Sequence, residues 1–149
     1  MSKGNTFENE LLLLIFQNAN IANIGDATGL RGSSTAGSLY LALHTADPGE
    51  AGDQTTGEAT YGSYARVAVA RTSGGFTVSA NNVQLAAAAS FPLGTTGTVA
   101  QNITHVSVGV ASSGASKILY RAALSTALYS GTGIQPQLSS GTGLSITED

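Results

Sequence analysis

The stretch SLYLALHTADPGEAGD, residues 38–53, places a histidine, a threonine and an aspartate at the end of an alternating run. His44, Asp47 and a serine could form a nucleophile–base–orienter set for acyl transfer, and His105 offers a second base. The local pattern argues for a turn instead. His44 closes a period-two run, and Asp47 stands before Pro48-Gly49, where an aspartate side chain commonly accepts turn backbone N–H groups. There is no G-x-S-x-G elbow, and GSSTAG at 32–37 does not fit one. A metal would have to draw on His44, His105, Asp47 or Asp53, but the two histidines lack H-x-H or H-x-x-x-H spacing. The chain has no cysteine, which excludes zinc–thiolate sites, iron–sulfur clusters and thiol catalysis. The GTG pairs at 131–133 and 141–143 are too short for a phosphate loop and read as turns. Asn102-Ile103-Thr104 matches a glycosylation sequon, which means little without an export signal. No catalytic residue, cofactor or metal is expected, and the chain reads as a non-enzyme.

Binding surfaces are the better prospect. Tyr40, Tyr61, Tyr64, Tyr120 and Tyr129, with Arg66, Arg71 and Arg121, are residue types favoured where one surface buries another. They equally suit a core in which each hydroxyl finds a partner. Leu11, Leu12, Phe16, Arg31, Tyr40, Tyr61, Tyr64 and Arg66 are the interface candidates.

The elements that must position these residues are legible as patterns. TFENELLLLIFQN, residues 6–18, predicts a helix, with Asn5 and Glu8 fitting an N-x-x-E capping box. Its six consecutive apolar residues, Leu11–Phe16, leave no polar stripe, so it should be buried on most sides. Residues 19–37 read as a long loop with Arg31 at its centre, of a length often ordered by a partner. After it come strands. Leu39, Leu41 and Leu43 alternate with Tyr40, Ala42 and His44. Further strands are expected at 64–71, 76–78, 82–85, 103–110, 117–124, 135–138 and 144–147. They are separated by turns at Asp47-Pro48-Gly49, Ser73-Gly74-Gly75, Ser112-Ser113-Gly114 and Ser139-Ser140-Gly141. Ser130-Gly-Thr-Gly-Ile134 recurs as Ser140-Gly-Thr-Gly-Leu144, which predicts similar turns on either side of 135–138. The expected fold is mainly β: an antiparallel β-sandwich or jelly-roll-like barrel with one N-terminal helix. A chain of 149 residues fits a single domain, with helix 1–18, loop 19–37 and sandwich 38–149.

Charge narrows the partners. Six Lys and Arg against nine Asp and Glu give a net charge of −3. No basic patch can be built from so few, so nucleic acid is not an expected partner. The apolar run Leu11–Phe16 is far short of the roughly 20 residues a bilayer span needs, and it makes a poor signal peptide. A protein made without export, and no membrane partner, are expected.

Two segments carry a resemblance. SLYLALHTADPGEAG followed by YGSYARVAVAR resembles a widespread family of small tailed-bacteriophage virion proteins, commonly labelled tail fibre proteins. The shared features are Glu8-Asn9-Glu10-Leu11-Leu12 in the helix, then L-x-x-A-L-H-T-A-D-P-G from Leu39 to Gly49. Tyr64-Ala65-Arg66 and the later ITHVSVGVASSGASKILYRAAL complete the set. The chain departs from the pattern in its long loop before Ser38. The resemblance implies a virion part assembled in the host bacterial cytoplasm. A capsid decoration (cement) protein is the expected role, because the sequence shows no coiled-coil or β-helical shaft. It would bind the major capsid protein and itself, as a homotrimer, through the Gly25–Gly37 loop or the N-terminal segment. A tail fibre or tail-tip module contacting other tail proteins or the host surface is the alternative.

Overall fold

The computed structural model describes residues 3–24 and 32–148. One helix, α1 (Asn5–Gln17), precedes nine strands. These are β1 (Ser38–His44), β2 (Val67–Ala70), β3 (Phe76–Ser79), β4 (Asn82–Leu85), β5 (Ala89–Ser90), β6 (Gln101–Gly109), β7 (Ile118–Ser130), β8 (Gln137–Leu138) and β9 (Ser145–Thr147). The fold class is the one expected: mainly β, antiparallel, with one N-terminal helix. Contacts gather into two units. One is Met1–Ser38, Val69–Ala88 and Leu138–Asp149; the other is Leu39–Ala68 and Ala89–Gln137.

In the first unit α1 packs on the sheet β3-β4-β9. The helix starts one residue earlier than the capping box predicts. Gly4 is the N-cap, with no side-chain cap hydrogen bond, and its carbonyl accepts Glu8 N–H at 3.1 Å. Asn5 is therefore inside the helix, and Glu8 falls on the buried face with Leu12 and Phe16, at i, i+4 and i+8. Leu11, Leu13, Leu14 and Ile15 are half-buried, so the apolar run is covered unevenly. Phe16 meets Phe76 edge to face, with ring centroids 5.0 Å apart. Val83 and Leu85 point inward from β4, as period two requires. The helix ends at Asn18 in the left-handed region, φ 59°. Two of its last carbonyls are taken by Arg71: Nε donates to Ile15 O and Nη2 to Leu14 O, both at 2.6 Å. That cation sits where the helix dipole favours it. The loop after α1 is tethered near its ends. Ile21 is fully buried, and the Asn18 side chain bonds Ser33 through both its oxygen and its nitrogen.

The second unit holds the ladder β1-β6-β7 and the pair β5-β8. β1 and β6 face each other in a clean antiparallel register from Tyr40↔Gly109 to His44↔His105. β7 is longer than its alternation suggests. Its pairing with β6 runs to His105↔Ala123, then resumes at Ile103↔Leu128, so residues 124–127 bulge opposite Thr104 alone. The predicted end at Leu124 is the start of that bulge. β2 begins at Val67, because Tyr64, Ala65 and Arg66 lie in irregular chain that folds inward. β5 carries no alternation signal at two residues and was not expected. The two GTG turns also differ. In the first, Gly133 takes φ 72°, while in the second it is Gly141. The repeat is one of sequence and not of conformation.

Candidate functional site

His44 lies at the end of β1 and is wholly buried. Both ring nitrogens are used. Nδ1 is 2.9 Å from Thr56 O, and Nε2 is 2.8 Å from Ser107 Oγ. A carbonyl can only accept, so Nδ1 carries the proton and the Ser107 hydroxyl donates to Nε2. Burial lowers the His44 pKa, and the ring is neutral. A serine hydroxyl bonded to a histidine whose other nitrogen is oriented by an acceptor is the local geometry of a nucleophile and its base. Here His44 is 0% and Ser107 1% exposed, so both groups are closed off from solvent. Asp47 plays another part. It accepts Gly49 N–H at 2.9 Å, the turn bond expected of it, and holds Arg121 Nη1 at 2.6 and 2.8 Å. The Gly49 bond chiefly, with Arg121, keeps its carboxyl below the usual range. His105 Nδ1 lies 2.9 Å from Thr104 Oγ1.

Beside His44 stands a polar hub built on Arg66. Its guanidinium grips Glu58 with a two-point fork, Nε to Oε1 at 2.6 Å and Nη2 to Oε2 at 2.8 Å. Nη1 also donates to Ala111 O at 3.0 Å, and Nη2 to Gly114 O at 2.9 Å. Glu58 accepts a third bond from the Tyr64 hydroxyl at 3.0 Å, and that oxygen in turn accepts Leu43 N–H at 3.0 Å. Hydrogen bonding to Glu58 raises the Arg66 pKa, and burial raises that of Tyr64. Gln54, 0% exposed, donates to Tyr40 O at 3.0 Å and accepts from Ser116 Oγ at 2.6 Å. Its amide fills the space that a Cβ on Gly109 would need, which is why the chain has glycine there. This arrangement locks the segments around 54–58 and 111–116 onto β1 and β6.

The interface candidates fall into separate places. Leu12 and Phe16 are in the core of the first unit, and Leu11 is half-buried on the same helix. Tyr61, Tyr64 and Arg66 are inside the second unit, where Tyr61 donates to Pro92 O at 3.0 Å and burial pushes its hydroxyl up to about 12. Tyr64 also stacks on Phe91, with centroids 6.3 Å apart. Tyr40 is half-buried on β1. Arg31, and with it residues 25–31 of the loop, lies outside the described residues. Sequence reasoning missed Gln54, Glu58, Ser107 and Ser116. Their types read as surface, and the only local hint was that Asp47, Glu50, Asp53, Glu58, Arg66 and Arg71 gather within residues 47–71 of a chain otherwise poor in charge.

One open cleft of the second unit, of about 340 Å³, is lined by Thr60, Tyr61, Gly62, Thr95–Val99 and Gln101. No charged side chain reaches it. Among the described residues, no helix is long and apolar enough to cross a membrane.

No curated protein matches the chain. The family described as podophage GP4 fiber I protein gp80 matches residues 4–143, which takes in α1, all of the second unit and most of the first. The chain therefore belongs to that family of phage virion fibre proteins.

Proposed function

We propose that the chain is a non-enzymatic structural subunit of a phage fibre and works as a homo-oligomer. The observation that carries this reading is the family match over residues 4–143, to a family described by a podophage fibre protein. The geometry supports it. The Ser107–His44 pair is sealed from solvent, and the polar hub on Arg66 uses its charges to hold loops in place. Decoration of the head shell, the role expected from the sequence, is the second reading. It is favoured by the build of the described residues, which are short antiparallel strands joined by turns. An affinity tag on the C-terminus, gold-labelled and viewed on whole virions, separates the two. Label at fibres, with a copy number well below that of the major capsid protein, is expected. Label spread over the head at a copy number near the capsid protein's overturns the fibre reading.

A further inference from the structure

We propose that residues 45–58 form a proton-sensitive cover on the second unit, in which a proton taken up by His44 drives Gln54 out of its seat against β1 and β6. The cover is built as a loop whose ends meet. Thr45 N–H donates to Gly57 O at 2.8 Å, and Ala59 N–H to Leu43 O at 2.8 Å. The loop can therefore move without unzipping the β1–β6 ladder, whose register runs from Tyr40↔Gly109 to His44↔His105. Gln54 is the plug. Its backbone N–H donates to Ser116 O at 3.0 Å, its side chain bonds Tyr40 O and Ser116 Oγ, and its Nε2 lies 3.5 Å from Ser107 Oγ. It is fully buried, and its withdrawal is what lets water reach the Nε2 side of the His44 ring.

The seat cannot balance a charged His44. Arg66 and His105 face the ring with charge of the same sign. The carboxylate that faces it, Glu58, already accepts Arg66 twice and the Tyr64 hydroxyl once. Asp47 is turned to Gly49 N–H and Arg121, Asp53 to Thr55, and Glu50 is exposed. Hydrogen bonding fails as well. With Nε2 protonated, Ser107 Oγ meets two donors, His44 Nε2–H and Gln54 Nε2–H, and its own proton loses the acceptor it has in the neutral state. A buried charge without a partner, beside a hydroxyl without its acceptor, favours the arrangement in which water enters. The Nδ1 bond to Thr56 O survives protonation, so the movement centres on Gln54 and not on the base of the loop.

The test is native-state amide exchange at about pH 7.5 and about pH 5, which bracket the ordinary histidine value, corrected for the direct effect of pH on exchange. Protection of the Gln54 amide should fall by up to about 30-fold, the ratio set by a histidine that titrates only in the open state. Low urea should barely alter it, because a local opening exposes little surface. The ladder amides of Leu41 and Val108 should exchange more slowly and with a steep urea dependence. His105→Gln should respond as the wild type does, whereas His44→Gln should hold Gln54 protection constant between the two pH values. Should His44→Gln not fold, the wild type gives a second measurement. Acidification until the ring nitrogen-15 shifts report the imidazolium should move the Gln54 side-chain amide resonances in step. A Gln54 amide equally protected at both pH values, or one that loses as much protection in His44→Gln, overturns the proposal. So does an imidazolium that forms with the Gln54 side chain unmoved. Exchange of Gln54 at the same rate as Leu41 and Val108 at every urea concentration also overturns it, since only global unfolding would then uncover His44.

Discussion

Arg66 shows how a single residue can hold distant chain together. Its N–H donors serve the Glu58 carboxylate, the Gln54 amide oxygen and the Ala111 and Gly114 carbonyls, a task that suits the planar guanidinium and not an ammonium. Arg66→Met should cost about 3–5 kcal/mol, because Glu58 would be left unpaired and largely buried. Arg66→Lys keeps the charge but loses the fork, and should cost about 2 kcal/mol. Urea unfolding of the three proteins checks the order. His44 makes a pH prediction. Its folded pKa lies below the ordinary 6.5, so the unfolded chain binds the proton more readily. The stability His44 contributes is complete above the unfolded value. It is lost as pH falls from there toward the lowered folded value, at up to about 1.4 kcal/mol per pH unit. Melting temperature should drop over that window, and His44→Gln should flatten the drop. An unchanged slope in His44→Gln would assign the titration elsewhere.

At the scale of elements, α1 ends on Arg71. With that guanidinium removed, Ile15 O and Leu14 O lose their donors and the helix dipole its counter-charge. Arg71→Ala should therefore cost about 2 kcal/mol and speed amide exchange in the last turn of α1. The β3–β4 hairpin closes at Ser79↔Asn82 through Ala80, whose φ is 52°. A Cβ is unfavourable there, so Ala80→Gly should raise stability by about 1 kcal/mol, measured by thermal unfolding. A loss of stability would mean that the Ala80 methyl makes a contact worth more than the strain.

For the whole molecule, each unit is woven from stretches far apart in sequence, and the family match spans both. Neither can be cut out at one point of the chain, so the protein should unfold in one cooperative transition. Phe16→Ala, which empties a fully buried site against Phe76, should cost about 3–5 kcal/mol. It should also lower the melting of tyrosine fluorescence, whose five sources all lie in the second unit, and of far-ultraviolet circular dichroism together. Separate transitions would show two independent domains. What the sequence determined by itself is local. Alternation placed β1, β3 and β4, while Pro48-Gly49 and the serine–glycine pairs placed turns, because period and backbone restriction act within a few residues. The scarcity of charge was equally plain. Tertiary structure alone decided that Tyr61, Tyr64 and Arg66 belong to an interior, that residues 124–127 bulge, and that His44 bonds a serine 63 positions away. Polar residues read as surface until long-range partners satisfy their hydrogen bonds, and that pairing exists only once the chain has folded.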